Sequence, residues 1–91
     1  MVRVSFPTHL RRHFAAVPAY CEAQGSTVAE IVRDLERQFP GLAPYLVHED
    51  GSLRQHVNIF LDERWLADRR RLTDSVAGVK QVFVMQALSG G

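Results

Sequence analysis

The chain has 91 residues, of which 46% are hydrophobic, and its eleven lysines and arginines nearly balance its ten aspartates and glutamates. This composition is typical of one small soluble domain and leaves no room for a second. The net charge of +1 argues against a nucleic-acid-binding protein that works through general basicity. The single Cys21 excludes an internal disulfide and a CxxC metal site, and it fits a reducing compartment.

Targeting signals and membrane-spanning segments are not evident in the sequence. No run approaches the roughly 18 apolar residues that a membrane helix needs, and the first residues lack the basic-then-apolar layout of a signal peptide. We therefore expect a cytoplasmic protein that binds neither membranes nor nucleic acid.

The first part of the chain predicts an opening β-hairpin. Residues 2–6 alternate apolar and polar side chains over a β-branched run, which is typical of a half-buried strand. Residues 8–14 are predicted to form a polar turn, and residues 16–22 a shorter second strand. Pro18 lies inside that second run and cannot donate a ladder hydrogen bond, so we expect the strand at a sheet edge. The side chains expected to face the core are Val2, Val4 and Phe6.

A helix is predicted after Gly25-Ser26. Thr27 and Glu30 have the T-x-x-E spacing in which a hydroxyl and a carboxylate accept hydrogen bonds from free amides at a helix start. Pro40-Gly41 end the pattern. Apolar residues follow at i, i+3, i+4, i+7 and i+11 of one helical stripe, namely Val28, Ile31, Val32, Leu35 and Phe39.

The second half of the chain predicts three further strands. Residues 42–53 suit an irregular or single-turn connection, and residues 57–61 form a β-rich run. A short strand is expected at residues 65–66, and residues 68–78 form a mostly polar connection. The last strand is predicted over residues 81–88.

This order of elements favours one helix packed across one mixed sheet of four to five strands, in two layers. The chain returns from the helix beside its first strand, which makes the last strand central and parallel to the first. The segment after the last strand therefore leaves the sheet at the end where the first strand also ends.

The residues Ser89-Gly90-Gly91 favour a flexible tail. Glycine buries no side chain and loses the most backbone freedom on ordering, so a strand interior would not select it. Residues 88–91 would reach about 13–14 Å beyond the strand, enough to place a carboxylate inside a narrow channel of another protein. The same residues are also typical of a frayed chain end. We expect one domain over residues 1–87 and a tail over residues 88–91.

Six short motifs together resemble the ThiS/MoaD family of ubiquitin-like sulfur carriers over nearly the full length of the chain. They are Phe-Pro-Thr-x-Leu-Arg at residues 6–11, Thr-Val-Ala-Glu at 27–30, Phe-Pro-Gly-Leu at 39–42, Asp-Gly-x-Leu at 50–53, Val-Asn-Ile at 57–59 and Ala-Leu-Ser-Gly-Gly at 87–91. Members of the family usually carry a Gly-Asp turn before the last strand and a proline before the position of Ala87. This chain has Gly78-Val79-Lys80 and Gln86 there.

The resemblance implies an α+β fold of the β-grasp, ubiquitin-like class and a carrier function. In this family a ubiquitin-activating-type enzyme uses ATP to adenylate the C-terminal glycine. A sulfurtransferase or persulfide donor then converts the adenylate to a thiocarboxylate, which donates sulfur to a biosynthetic enzyme making a cofactor or metabolite, such as molybdopterin, thiamine or cysteine. The protein itself would not be an enzyme but a co-substrate, or else the small subunit of a sulfur-transfer enzyme similar to molybdopterin synthase. It would bind no cofactor.

The resemblance assigns the tail residues their roles. Gly91 would carry the sulfur on its carboxyl group, and Gly90 would keep the tail narrow. Leu88 and Ser89 would contact the partner that accepts the tail.

Two groups of residues suggest docking surfaces. Phe60, Leu61 and Trp65 predict an exposed apolar patch on the sheet, since aromatic anchors are enriched in such contacts, although Trp65 fits the core equally well. Arg69-Arg70-Arg71 together with Arg11-Arg12 predict a basic rim for an acidic partner, or else an ordinary solvated surface.

The remaining reactive side chains do not suggest a catalytic or metal site. No histidine lies at a spacing that would pair it with Cys21, so a structural or surface cysteine is the expected role. The histidines at positions 9, 13, 48 and 56 fit no metal-ligand pattern. We expect no metal site.

Three functions remain open at this point. The first is a sulfur carrier, and the second is a ubiquitin-like modifier whose Gly91 is joined to lysines of other proteins. The third is a binding module in which the tail has no role.

Overall fold

The structure is a computed structural model, and it describes residues 1–86. The strands and helices follow one another as β1 (Val2–Ser5), α1 (Thr8–His13), β2 (Tyr20–Ala23), α2 (Val28–Gln38), α3 (Ala43–Leu46), β3 (Val57–Leu61), β4 (Arg64–Trp65) and β5 (Gln81–Gln86). Within residues 1–86, no helix has the length and apolar character that a membrane crossing requires.

The strands of the described chain form one mixed sheet in the order β2-β1-β5-β3-β4. β5 pairs in parallel with β1 and antiparallel with β3, so the last strand is central, as predicted. Val4 lies opposite Val82 in the parallel pair, and both are buried. β1 and β5 therefore end at the same end of the sheet.

One face of the sheet packs against α2 to form the core. β1, β3 and β5 alternate buried and exposed side chains, and the apolar stripe of α2 covers the buried set. The largest fully buried side chains are those of Ile31, Leu35, Leu42, Leu46, Ile59, Leu61 and Leu72. The predicted core positions Val2, Val4 and Phe6 are buried as well.

The start of α2 is fixed as its sequence predicts. The Thr27 hydroxyl accepts a hydrogen bond from the amide of Glu30 at 3.3 Å, and Glu30 Oε1 accepts one from the amide of Ser26 at 2.8 Å. The first two amides of the helix donate to backbone carbonyls of Asp74 (3.0 Å) and Leu72 (2.9 Å). The free amides of this helix start are therefore satisfied.

α1 is the main departure from the predicted elements. The polar turn expected over residues 8–14 is a six-residue helix, anchored by the buried side chain of Leu10. With one apolar side chain, this segment has no periodicity that would indicate a helix.

Two strand boundaries also differ from the prediction. β2 begins at Tyr20, so Pro18 precedes the strand and does not lie within it, but the strand is at the sheet edge as expected. β4 lies one residue earlier than predicted, because Arg64 and Trp65 pair with Leu61 and Phe60.

Side chains of α2 cover the exposed edge of β2. Asp34 Oδ2 accepts a hydrogen bond from the amide of Gln24 at 3.0 Å, and Gln38 Nε2 donates to the carbonyl of Glu22 at 2.9 Å. Backbone groups that could pair with a foreign strand are thereby occupied. This leaves the open face of the sheet as the better surface for a partner.

Candidate functional site

The candidate site begins where β5 ends. Gln86 pairs with Val57 of β3, so the base of the tail is held against the sheet. The beginning of β5 is fixed by Asp62, whose carboxylate accepts hydrogen bonds from the amides of Lys80 (3.2 Å) and Gln81 (2.9 Å). The predicted site residues Leu88, Ser89, Gly90 and Gly91 lie outside the described residues.

A single row of side chains crosses the face of the sheet opposite α2. Strand register places Ser5 between Tyr20 and Phe83, and Phe60 between Phe83 and Trp65. Directly paired residues point to the same face of a sheet, so these five side chains form one row across all five strands. We call Tyr20, Ser5, Phe83, Phe60 and Trp65 the aromatic row.

The row presents apolar surface to solvent. The exposed fraction is 60% for Trp65 and 36% for Phe83, and Met85, two residues after Phe83 on the same face, is 47% exposed. The rings of Phe60 and Trp65 pack with their centroids 4.0 Å apart. Exposed aromatic side chains clustered in this way mark interaction surfaces more often than single ones do.

Two of the three residues of the predicted apolar patch lie on the open face of the sheet. Phe60 and Trp65 lie on the open face as expected, and Trp65 is not a core residue. Leu61 points the other way and is buried, because neighbouring residues of a strand face opposite sides. Tyr20 and Phe83 were not predicted to lie on this surface. The alternation of apolar and polar residues indicates a strand, but it does not show whether the second face of the sheet is covered.

A small cleft lies beside the base of the tail. Its volume is about 260 Å³, and its lining is mostly apolar. Among residues 1–86, the buried Gln86 Oε1 has no hydrogen-bond partner. The residues that line the cleft are Ser5, Phe6, Pro7, Phe83, Val84, Met85 and Gln86.

The predicted basic rim is not one surface. The Arg69 guanidinium donates hydrogen bonds to Asn58 Oδ1 (3.0 Å) and to the carbonyls of Arg54 and Val57 (2.9 Å each). Arg69 therefore ties its loop to the start of β3 and is not available as a free surface charge, which corrects its predicted role.

Arg70 and Arg71 are exposed but lie away from the aromatic row. They line a cleft of about 480 Å³ beside α2 and α3, which also contains Arg33 and Glu36. Arg11 and Arg12 are exposed on α1, which follows β1 at the end of the sheet where β5 also ends. The arginines predicted as one rim thus occupy separate places.

This chain is similar to known proteins in both sequence and fold. The sulfur carrier protein CysO of Mycobacterium tuberculosis is 29% identical over 92 residues, which cover 99% of this chain and 98% of that protein. A chain in the crystal structure of the BexX/CysO complex of Amycolatopsis orientalis matches with a TM-score of 0.84 at 29% identity, over 100% of both chains. No protein-family model matches the chain.

A second relative comes from an archaeon. Small archaeal modifier protein 3 of Haloferax volcanii is 30% identical over 66 residues, which cover 72% of this chain and 71% of that protein. This chain belongs to the ThiS/MoaD family of ubiquitin-like sulfur carriers. The predicted β-grasp fold is confirmed. A ThiS/MoaD sulfur carrier is a protein co-substrate and not an enzyme.

Cys21 contributes the single thiol of this chain. It is half-buried in β2 and packs against the core. Burial, and secondarily the charge of Asp34, raises the pKa of the thiol. A thiol with a raised pKa is a poor nucleophile, because the thiolate is the reactive form. This agrees with the structural role predicted for Cys21.

Proposed function

We propose that the carboxyl group of Gly91 carries the sulfur. The carboxylate attacks the α-phosphate of ATP in an adenylating enzyme, which releases pyrophosphate and leaves an acyl adenylate. Sulfide then attacks the acyl carbon and displaces AMP, which gives the thiocarboxylate. Where the donor is a persulfide, a second thiol must cleave the resulting acyl disulfide. Transfer of the sulfur to an acceptor, with addition of water, restores the carboxylate.

The observation that supports this proposal is the continuity between the aromatic row and the tail. Phe83 belongs to the row, and β5 ends three residues later at Gln86. A partner that covers the row therefore holds the origin of the tail in a fixed place. The five residues that follow span about 16–18 Å when extended, which suits delivery of a carboxylate to a recessed active site.

The proposal requires three partners in turn. An adenylating enzyme of the ubiquitin-activating type would supply ATP chemistry, a sulfurtransferase or persulfide donor would supply sulfur, and a biosynthetic enzyme would accept it. The BexX/CysO complex is a precedent for a stable complex that includes a relative of this chain. We propose that this chemistry takes place in the cytoplasm, since a thiocarboxylate is a sulfur nucleophile that oxidation would couple to other thiols as a disulfide.

Intact-mass analysis of the protein purified from its native host tests this function. A sulfur carrier shows a species whose mass has increased by the exchange of one oxygen for sulfur, and alkylation of the thiocarboxylate shifts that species alone. Digestion should locate the exchange at Gly91. A host in which the donor and activating enzymes are active but the oxygen form alone is found would contradict the proposal.

A second candidate function is protein modification through Gly91. It is favoured by the similarity to small archaeal modifier protein 3, whose name describes a modifier. The same adenylate would then react with a lysine amine and form an amide bond. An epitope-tagged chain would produce a ladder of conjugates that disappears when Gly91 is deleted, whereas a carrier alone produces no such ladder.

A further inference from the structure

The first 21 residues of the chain carry a net positive charge. Residues 1–21 contain Arg3, Arg11 and Arg12 and no aspartate or glutamate, and the first acidic residue is Glu22. Two of these arginines lie side by side on α1. The overall charge of +1 hides this local excess, because the acidic residues all lie later in the chain.

The fold places α1 at the base of the tail. Phe6 and Pro7, which lead directly into α1, line the small cleft together with Val84, Met85 and Gln86. The parallel pairing of β1 with β5 causes this proximity, since both strands end at the same edge. The first helix therefore flanks the point at which the tail leaves the domain.

The arginines of α1 face solvent. Leu10 is the buried residue of the helix and anchors it to the core, whereas Arg11 and Arg12 are exposed. Among residues 1–86, neither guanidinium forms an ion pair; the ion pairs there join Arg37 to Asp34 and Arg64 to Asp74. A positive charge in the last turn of α1 would stabilise the helix through the helix dipole, but that interaction does not require both arginines.

We infer that Arg11 and Arg12 dock against an acidic rim at the mouth of the partner channel that accepts the tail. The inference rests on the proposed function. The extended tail would place the reacting carboxylate about 16–18 Å beyond Gln86. Cations on α1, which begins directly after the cleft-lining Pro7, would therefore act at the channel mouth and not on the phosphates of ATP. Opposite charges at a rim accelerate association more than they strengthen the final complex.

A pair of matched double variants tests this inference. Arg11→Glu with Arg12→Glu changes the α1 surface, and Arg70→Glu with Arg71→Glu changes a surface beside α2. Each Arg→Glu change removes two units of charge, so both variants take the net charge from +1 to −3. The two proteins therefore differ in the position of the charge and not in its amount.

The measurement is the association rate with the host's adenylating enzyme by stopped flow, at low and high salt. We expect the α1 variant to associate about tenfold more slowly at low salt, and the Arg70/Arg71 variant to change less than about threefold. The difference should nearly disappear at about 0.5 M salt, where screening is short-ranged. Changing the same arginines to glutamine removes half as much charge, so the logarithm of the association rate should fall by about half as much. The glutamine variants also control for any destabilisation of α1 by glutamate.

The outcomes separate the inference from the proposed function. Equal slowing of the two variants would mean that total charge matters and position does not, which overturns the inference. Unchanged rates for the α1 variant at low salt would overturn it as well. If the wild-type protein is not adenylated at all, the proposed function fails and the inference fails with it.

Discussion

Phe60 of β3 lies directly opposite Phe83 of β5, on the face of the sheet that α2 does not cover. Trp65 extends this pair onto the edge strand, with its ring packed on Phe60. Because β5 also leads into the tail, the exposed aromatic surface and the carried group belong to one strand. A partner can thus recognise the domain on one surface and receive the tail from its edge.

The first prediction concerns Trp65. Trp65→Ala should weaken binding to the adenylating enzyme by about tenfold to a hundredfold, since an exposed aromatic anchor of a binding surface contributes at that level. The free energy of unfolding of the Trp65→Ala protein should fall by less than about 1 kcal/mol, because the Trp65 side chain is largely exposed. Isothermal titration calorimetry measures the affinity.

Tyr45→Ala is the matched control for Trp65→Ala. Tyr45 is an aromatic side chain with 42% exposure that lies on α3, outside the aromatic row, and packs against Phe14. Its removal should leave the affinity within about twofold. If both variants lose affinity equally, the aromatic row is not the docking surface.

The second prediction separates Arg69 from its neighbour. Arg69→Ala should lower the free energy of unfolding by about 2–4 kcal/mol, because it leaves two carbonyls and an amide oxygen without their charged donor. Arg70→Ala should change it by less than about 0.5 kcal/mol, as expected for an exposed residue. Urea denaturation measures both values, and equal stability of the two variants would refute a structural role for Arg69.

Much of the fold could be predicted because its signals are local. The alternation of residues 2–6 and 57–61 and the helical stripe that begins at Val28 identify buried faces directly. Pro40-Gly41 and the Thr27 to Glu30 spacing delimit α2. The central position of β5 could be predicted from the order of the elements and from the preference for right-handed crossovers between parallel strands.

The parts that were missed depend on contacts between distant segments. The partners of Arg69 lie 11 to 15 residues away, and two of them are backbone carbonyls, which leave no trace in sequence spacing. The aromatic row required the register of all five strands. α1 carries one buried side chain, Leu10, so its helical form depends on packing and not on a repeated pattern.

The third prediction tests the start of α2. Thr27→Ala should lower the free energy of unfolding by about 1 kcal/mol, the usual effect of losing an N-cap hydroxyl. Thr27→Ser keeps the hydroxyl and should lose at most a few tenths of that amount. A melting temperature unaffected by the alanine change would show that the cap contributes nothing.

The fourth prediction concerns pH and the loop over residues 68–74. The hydroxyl of Thr73 donates to Asp68 at 2.6 Å, and the amides of Arg71 and Arg70 also donate to it, at 3.0 Å each. These hydrogen bonds, with that of Thr73 first, lower the pKa of Asp68 to about 2 from its usual 3.8.

Because the pKa of Asp68 is lower in the folded protein than in the unfolded chain, its carboxylate stabilises the fold above about pH 4. This stabilisation is lost as the pH falls towards 2. The stability difference between wild type and Asp68→Asn should therefore be largest near neutral pH and shrink below pH 4. Thr73→Val should raise the pKa of Asp68, as measured by NMR titration. A stability difference that is constant from pH 6 to pH 2 would contradict this role.

The proposed function requires that the carboxylate of Gly91 be the reacting group. Deleting Gly91, or adding one alanine after it, moves the carboxylate by about 3.3–3.6 Å along an extended chain. In-line attack on the α-phosphate tolerates little displacement, so adenylation should be lost. Glycine has no side chain to bury, so either change at the chain end should leave the melting temperature almost unchanged.

ATP–pyrophosphate exchange with the host's adenylating enzyme, run beside a thermal melt of each variant, measures this most directly. We expect exchange with the wild-type protein and none with either tail variant, at equal melting temperatures. Exchange at the full rate by the protein that lacks Gly91 would show that the Gly91 carboxylate is not the reacting group and would overturn the proposed function.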